Sequence, residues 1–131
     1  MKVYDCAATR LVKERWGVQA APAIEADGFY FLSGLTSIDL ATGDLVDGDI
    51  RTQATQTIRA LEEVLVEIGL SLDHVIKVNA TLTEPEADFK TWCEVFDSAF
   101  KPPYPARTTI GGSLVAGRIE LEFTAYREPR C

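Results

Sequence analysis

The chain has 131 residues, 47% of them hydrophobic and 25% charged, with a formal net charge of −7. That length supports one domain over residues 1–131, and no apolar run approaches the roughly 18 residues of a membrane span. The negative balance argues against a nucleic-acid partner, because neutralising phosphates requires a basic face. The three cysteines, Cys6, Cys93 and Cys131, are few, odd in number and far apart. They suggest no disulfide framework, and a reducing cytoplasm is the expected compartment. The stretch Met1 to Cys6 lacks the apolar run of a secretory signal.

In chain order, Lys2 to Cys6 fits a short edge strand. Ala23-Ile24-Glu25-Ala26 and Phe29-Tyr30-Phe31-Leu32 flank Asp27-Gly28, a strong hairpin signal. Asp39 to Asp44 has turn composition and lacks the alternating acids and closing Glu of a calcium loop. From Asp49 to Leu70 the period is helical: Ile50, Ala54, Ile58, Leu61, Leu65 and Ile68 recur every three or four residues. Asp49 is a suitable N-cap, and Gly69 ends the helix.

His74 to Thr83 alternates as a strand, with Ile76, Val78, Ala80 and Leu82 expected on one face. Ala87 to Phe100 is helical again, with Phe89, Trp92, Cys93, Phe96 and Phe100 along one side as core. The proline-rich connector Lys101 to Pro105 cannot be helix. Arg107 to Ile110 and Ile119 to Tyr126 read as strands, with Gly111-Gly112 breaking the chain between them. Two helices covering one face of a mixed sheet is the expected α+β architecture, and the bare face suggests oligomer contacts.

Tyr104-Pro105-Ala106-Arg107 and Ile119-Glu120-Leu121-Glu122 carry the clearest chemistry. An arginine at the mouth of a strand can fork onto a carboxylate with two parallel donors. Glu120, expected on a strand paired with that of Arg107, can serve a water or a proton. The competing reading is a structural bridge from Arg107 to Glu120 or Glu122. Cys93 reads either as a small buried hydrophobe or as a pocket wall. His74, the only histidine, reads as a capped turn residue, so neither a zinc set nor a Cys–His pair is expected.

Together with Phe31-Leu32-Ser33-Gly34, Asp49-Ile50-Arg51-Thr52-Gln53-Ala54 and Leu72-Asp73-His74-Val75-Ile76-Lys77-Val78, these blocks make the chain resemble the YjgF/RidA family of enamine/imine deaminases. The resemblance runs from about Ala23 to Tyr126. It implies a chorismate-mutase-like fold, assembly as a homotrimer, and clefts between subunits. It also implies hydrolysis of small carboxylate-bearing imines or enamines to 2-oxo acids and ammonium, with no metal or organic cofactor. By the same resemblance Arg107 grips the substrate carboxylate, Glu120 handles water, and the backbone N–H of Thr109 and the backbone at Gly34 contact the substrate. Cys93 lines the pocket.

The chain departs from the family pattern at three places. Ala20 stands where many members have a tyrosine, Leu35 where a glutamine often follows the Ser-Gly pair, and Cys93 where an asparagine is common. Trp16 is a candidate replacement lid. A changed pocket wall implies a larger or more apolar substrate, or a dedicated enamine such as an aminomuconate or ureidoacrylate. The missing tyrosine leaves open a non-catalytic trimer that binds 2-oxo acids or amino acids in a regulatory role.

Overall fold

A computed structural model describes residues 1–130, so Cys131 lies outside the described residues. Eight strands and three α-helices follow one another: β1 (Lys2–Tyr4), α1 (Arg10–Trp16), β2 (Ala23–Ala26), β3 (Phe29–Leu32), β4 (Ile38–Asp39), β5 (Asp44–Leu45), α2 (Ile50–Glu67), β6 (Val75–Leu82), α3 (Pro85–Ala99), β7 (Ala106–Gly111) and β8 (Ile119–Tyr126). Six strands form a mixed sheet in the order β1-β2-β3-β8-β6-β7, and β4 and β5 make a separate small hairpin. Only β6 and β7 run parallel. The α+β architecture thus has the predicted helices α2 and α3, and a third, α1, lies in the N-terminal segment. No helix among the described residues is long and apolar enough to cross a membrane.

The expected β2–β3 hairpin forms. Asp27 and Gly28 both take positive φ, 52° and 86°, which matches the twist of the flanking strands. Asp49 caps α2 by accepting from the Thr52 N–H at 2.9 Å, and Gly69, at φ 84°, follows the last turn. Ile50, Ala54, Ile58, Leu61, Leu65 and Ile68 are all buried. Burying each of the larger of these side chains is worth about 1.5–3 kcal/mol relative to exposure. They pack, with Trp92 and Phe96 of α3 and Phe100 just after it, against Val78, Ala80 and Leu82 of β6 and Ile119, Leu121, Phe123 and Ala125 of β8.

Two expectations about faces fail for identifiable reasons. Ile76 is exposed because an irregularity between Val75 and Lys77 shifts the register, so Val75 takes the inward position. Phe89 is 46% exposed rather than core, since it sits one residue off the buried line of Asp88, Trp92, Val95 and Phe96. His74 does cap its own turn: its Nδ1 accepts from the Ser71 N–H at 3.1 Å. Cys6 is a buried free thiol pushed up to about 11, chiefly by burial, with the Glu67 carboxylate adding to it.

The N-terminal segment is tied down at both ends. Glu67 of α2 accepts from the Ala7 and Ala8 N–H groups at 2.6 and 2.9 Å, just ahead of α1. Gly17, in the left-handed region, ends α1. Arg15 pairs with Asp44 at 2.6 Å, which clamps α1 to the β4–β5 hairpin.

Candidate active site

Arg107 of β7 is in register with Val78, and Val78 with Phe123, so Arg107 points to the helix-covered face of the sheet. Its guanidinium carbon lies 4.7 Å from the centre of the Phe96 ring, with the rings of Phe89 and Trp92 at 5.8 and 5.9 Å. Nη2 donates to Cys93 Sγ at 3.4 Å. The aromatic faces attract the cation and restrict where its fork can point. Thr109 shares that face, and its Oγ1 accepts from Trp92 Nε1 at 3.0 Å. Arg107, Thr109 and Cys93 therefore come together, on the outermost strand of the sheet and the helix above it. Among the described residues Arg107 is in no ion pair, so the structural bridge to Glu120 or Glu122 does not form within the chain.

Glu120 stands elsewhere. It is in register with Thr81, which alternates with the inward Ala80 and Leu82, so it leaves its strand on the face opposite Arg107. The expectation that Arg107 and Glu120 sit on paired strands is corrected: β6 lies between β7 and β8. After Gly111 the chain crosses over β6 to reach β8 on its far side, instead of turning back beside β7. Two residues along β8, Glu122 accepts from Asn79 Nδ2 at 3.0 Å. Glu120 has no such side-chain partner among the described residues.

Gly34 explains how the Glu120 carboxylate is placed. A Cβ on Gly34 would lie 3.3 Å from Glu120 Oε1, so the carboxylate rests against bare backbone. Leu35, the next residue, exchanges both backbone hydrogen bonds with Leu121 at 3.0 Å, which fixes this segment against β8. Ser33 accepts nothing from the cleft; its hydroxyl donates to the Ala21 carbonyl at 2.6 Å and its N–H to the Pro22 carbonyl at 3.0 Å. These bonds bring Ala20 beside Gly34. Glu120, Gly34, Leu35, Ala20 and Trp16 line one cleft of about 310 Å³, otherwise walled mainly by apolar residues, among them Val12 of α1, Val64 of α2, Ile38 of β4 and the loop residues Val18 and Val115. Trp16 is a fixed wall of this cleft rather than a free lid, since its indole N–H donates to the Gly43 carbonyl at 2.9 Å.

Sequence reasoning missed the group that holds the start of β8. Arg118 forks onto Asp88, with Nε to Oδ2 at 3.1 Å and Nη2 to Oδ1 at 2.7 Å. Its backbone N–H donates to Gln53 Oε1 at 2.8 Å, and Gln53 Nε2 donates to the Gly48 carbonyl at 2.9 Å. Asp88 is 3% exposed and Gln53 1%. One signal was available: Asp88, Trp92 and Phe96 recur at helical spacing, so an acid on an apolar line demands a buried cation.

Residues 18–127 match the family described as endoribonuclease L-PSP. A RutC family protein of Pyrococcus horikoshii is 37% identical over 108 residues, which is 81% of this chain and 85% of that one. The human 2-iminobutanoate/2-iminopropanoate deaminase is 29% identical over 109 residues, 82% of this chain and 79% of its own. The solved structure of RidA from the Antarctic bacterium Psychrobacter sp. superposes with a TM-score of 0.78 at 29% identity, over 84% of this chain and 89% of that one. The motif blocks, the fold and these similarities agree: the chain belongs to the endoribonuclease L-PSP family, which is the YjgF/RidA family.

Proposed function

We propose that this protein is an enamine/imine deaminase, hydrolysing 2-imino acids to 2-oxo acids and ammonium. One observation carries the reading. Among the described residues, a fixed guanidinium stands without a carboxylate and a positioned carboxylate stands without a cation. Each side chain is complementary to one end of a 2-imino acid.

Because Arg107 and Glu120 lie on opposite faces, the reading requires a second copy, and we take the assembly to be a homotrimer of chorismate-mutase-like subunits. The helix-free face of the sheet supports it. Phe31 and Ile110 are 52% and 57% exposed there, and the tilted rings of Phe29 and Tyr126 lie 4.8 Å apart. Arg107 of one copy would clamp the substrate carboxylate, helped by the Thr109 backbone N–H and the wall at Cys93. Gly34 and Glu120 of the neighbouring copy would complete the site.

The chemistry asks little beyond orientation and a proton carrier. An iminium carbon is already electrophilic. Glu120 takes a proton from water as its oxygen bonds to that carbon, giving a carbinolamine. The glutamic acid returns the proton to nitrogen, the C–N bond breaks, and the hydroxyl proton leaves with ammonia as ammonium. Bidentate orientation is worth several kcal/mol, roughly, and general acid–base help about 100-fold. The ribonuclease in the family description fits this chain less well. A net charge of −7 repels a phosphate backbone, and the cleft beside Glu120 is apolar.

The test generates 2-iminopropanoate and 2-iminobutanoate in situ with an amino-acid oxidase and traps them with semicarbazide. The wild-type protein should deplete the imine faster than buffer. Glu120→Gln should lower the rate about 100-fold, and Arg107→Ala should lower kcat/KM by at least as much. No acceleration by the wild type over any imine tried would sink the proposal.

A further inference from the structure

The cleft beside Glu120 is larger and more apolar than a three- or four-carbon imine needs. Val12, Trp16, Val18, Leu35, Ile38 and Val64 form its walls, and its volume of about 310 Å³ falls at the lower end of small-molecule sites. Its polar side chains are largely committed elsewhere. Thr9 Oγ1 donates to the Cys6 carbonyl, Ser33 to Ala21 and the Trp16 indole to Gly43. Lys13 Nζ lies 3.7 Å from Asp5 Oδ1. Glu120 is left as the acid facing an otherwise greasy surface.

Val12, Lys13 and Trp16 on that surface come from α1, which lies ahead of the residues that match the family. Glu120 lines the same cleft, so a substrate whose reacting carbon sits over its carboxylate has these walls within reach of its side chain.

We infer that the substrate is a 2-imino acid with a large apolar side chain, of isobutyl or benzyl size, seated in the cleft between α1 and the Ser33–Ile38 segment. This rests on the imine-deaminase reading for its chemistry and on the cleft for its selectivity. A short imine leaves the walls wet, whereas a benzyl group covers them. Each added methylene in such a pocket is worth about 10-fold or more in kcat/KM.

The experiment compares imines generated from alanine, leucine, phenylalanine and glutamate, again by semicarbazide trapping. The phenylalanine- or leucine-derived imine should exceed the alanine-derived one in kcat/KM by at least about 10-fold. Ala20→Phe, which fills the rim, and Leu35→Gln, which makes a wall polar, should each reduce that ratio by about 10-fold. Circular dichroism would establish that both variants fold. A ratio near one, a ratio that neither variant alters, or a preference for the glutamate-derived imine (a second carboxylate drawn to Lys13) would overturn the inference while leaving the deaminase reading intact.

If no imine is turned over, calorimetry with the stable 2-oxo acids separates the two ideas. Phenylpyruvate binding about 10-fold tighter than pyruvate, and weakened by Ala20→Phe, would uphold the cleft assignment while the catalytic reading falls. Equal binding, or none, would overturn the assignment as well.

Discussion

Arg107 and Glu120 project from opposite faces of one sheet, from strands separated by β6. Within one chain the sheet stands between them. If both act on the same substrate, each site takes its arginine from one copy and its glutamate from the next.

That geometry predicts complementation. Arg107→Ala and Glu120→Gln proteins, each inactive alone, should regain activity when unfolded together and refolded, or when co-expressed. Random mixing in a ring with one type of interface leaves about a quarter of the sites with both native groups. Recovery of roughly a quarter of wild-type imine hydrolysis is therefore expected. Silence in the mixture, with mixed oligomers demonstrated by mass spectrometry, would place both residues' action within one subunit or nowhere.

Gly34 offers a test that separates placement from folding. No positive φ constrains this glycine, and an added Cβ would lie 3.3 Å from Glu120 Oε1, against the free end of a flexible side chain. Gly34→Ala should unfold at nearly the wild-type urea concentration. It should nonetheless lower kcat by about 10-fold, because sub-ångström displacement of a catalytic group is costly. Equal losses of stability and activity would mean that the alanine disturbs the segment as a whole.

The parts of this molecule that could be read from sequence were those governed by local rules. The Asp27-Gly28 turn, the Asp49 cap and the inward line from Ile50 to Ile68 depend on neighbours within a few positions. Ile76 was misplaced because alternation carries no sign of the shifted register beside Val75. The order of β6, β7 and β8 was also hidden. Strand order is decided by which edges the sheet leaves open, not by adjacency in sequence. Motif blocks could name Arg107 and Glu120 without placing them. The cleft was legible only in fragments: Ala20, Leu35 and Trp16 stood out singly, and their convergence on Glu120 required α1, whose seven residues carry little periodic signal.

Asp49 gives α2 an acid-sensitive start. The hydrogen bond from the Thr52 backbone N–H, joined by the Thr52 hydroxyl, holds its carboxyl below the ordinary value of 3.8. A folded-state pKa below the unfolded one means stability that is present above about pH 4 and lost as pH falls through the folded value. Asn retains the side-chain acceptor without the charge. Wild type should thus be the more stable of the two near neutrality, and its advantage over Asp49→Asn should shrink below about pH 4. Urea unfolding across the acid range measures this directly. An advantage that stays constant into strong acid would assign the cap's effect to geometry alone.

Arg118 should matter more than its position in a loop suggests. It neutralises Asp88, which is 3% exposed, and its backbone is held by Gln53 two residues before Glu120. Removing one member of a buried pair strands the other's charge, at about 3–5 kcal/mol when both are enclosed. The Arg118 side chain is 38% exposed, so water can reach the stranded carboxylate and about 2–3 kcal/mol is expected for Arg118→Met. In the double variant Asp88→Leu, Arg118→Met no charge is left unpaired, and part of the loss should return. If stability recovers in the double variant while imine hydrolysis does not, the pair's second role is to hold the start of β8 so that Glu120 meets Gly34. If both recover together, the pair serves stability only.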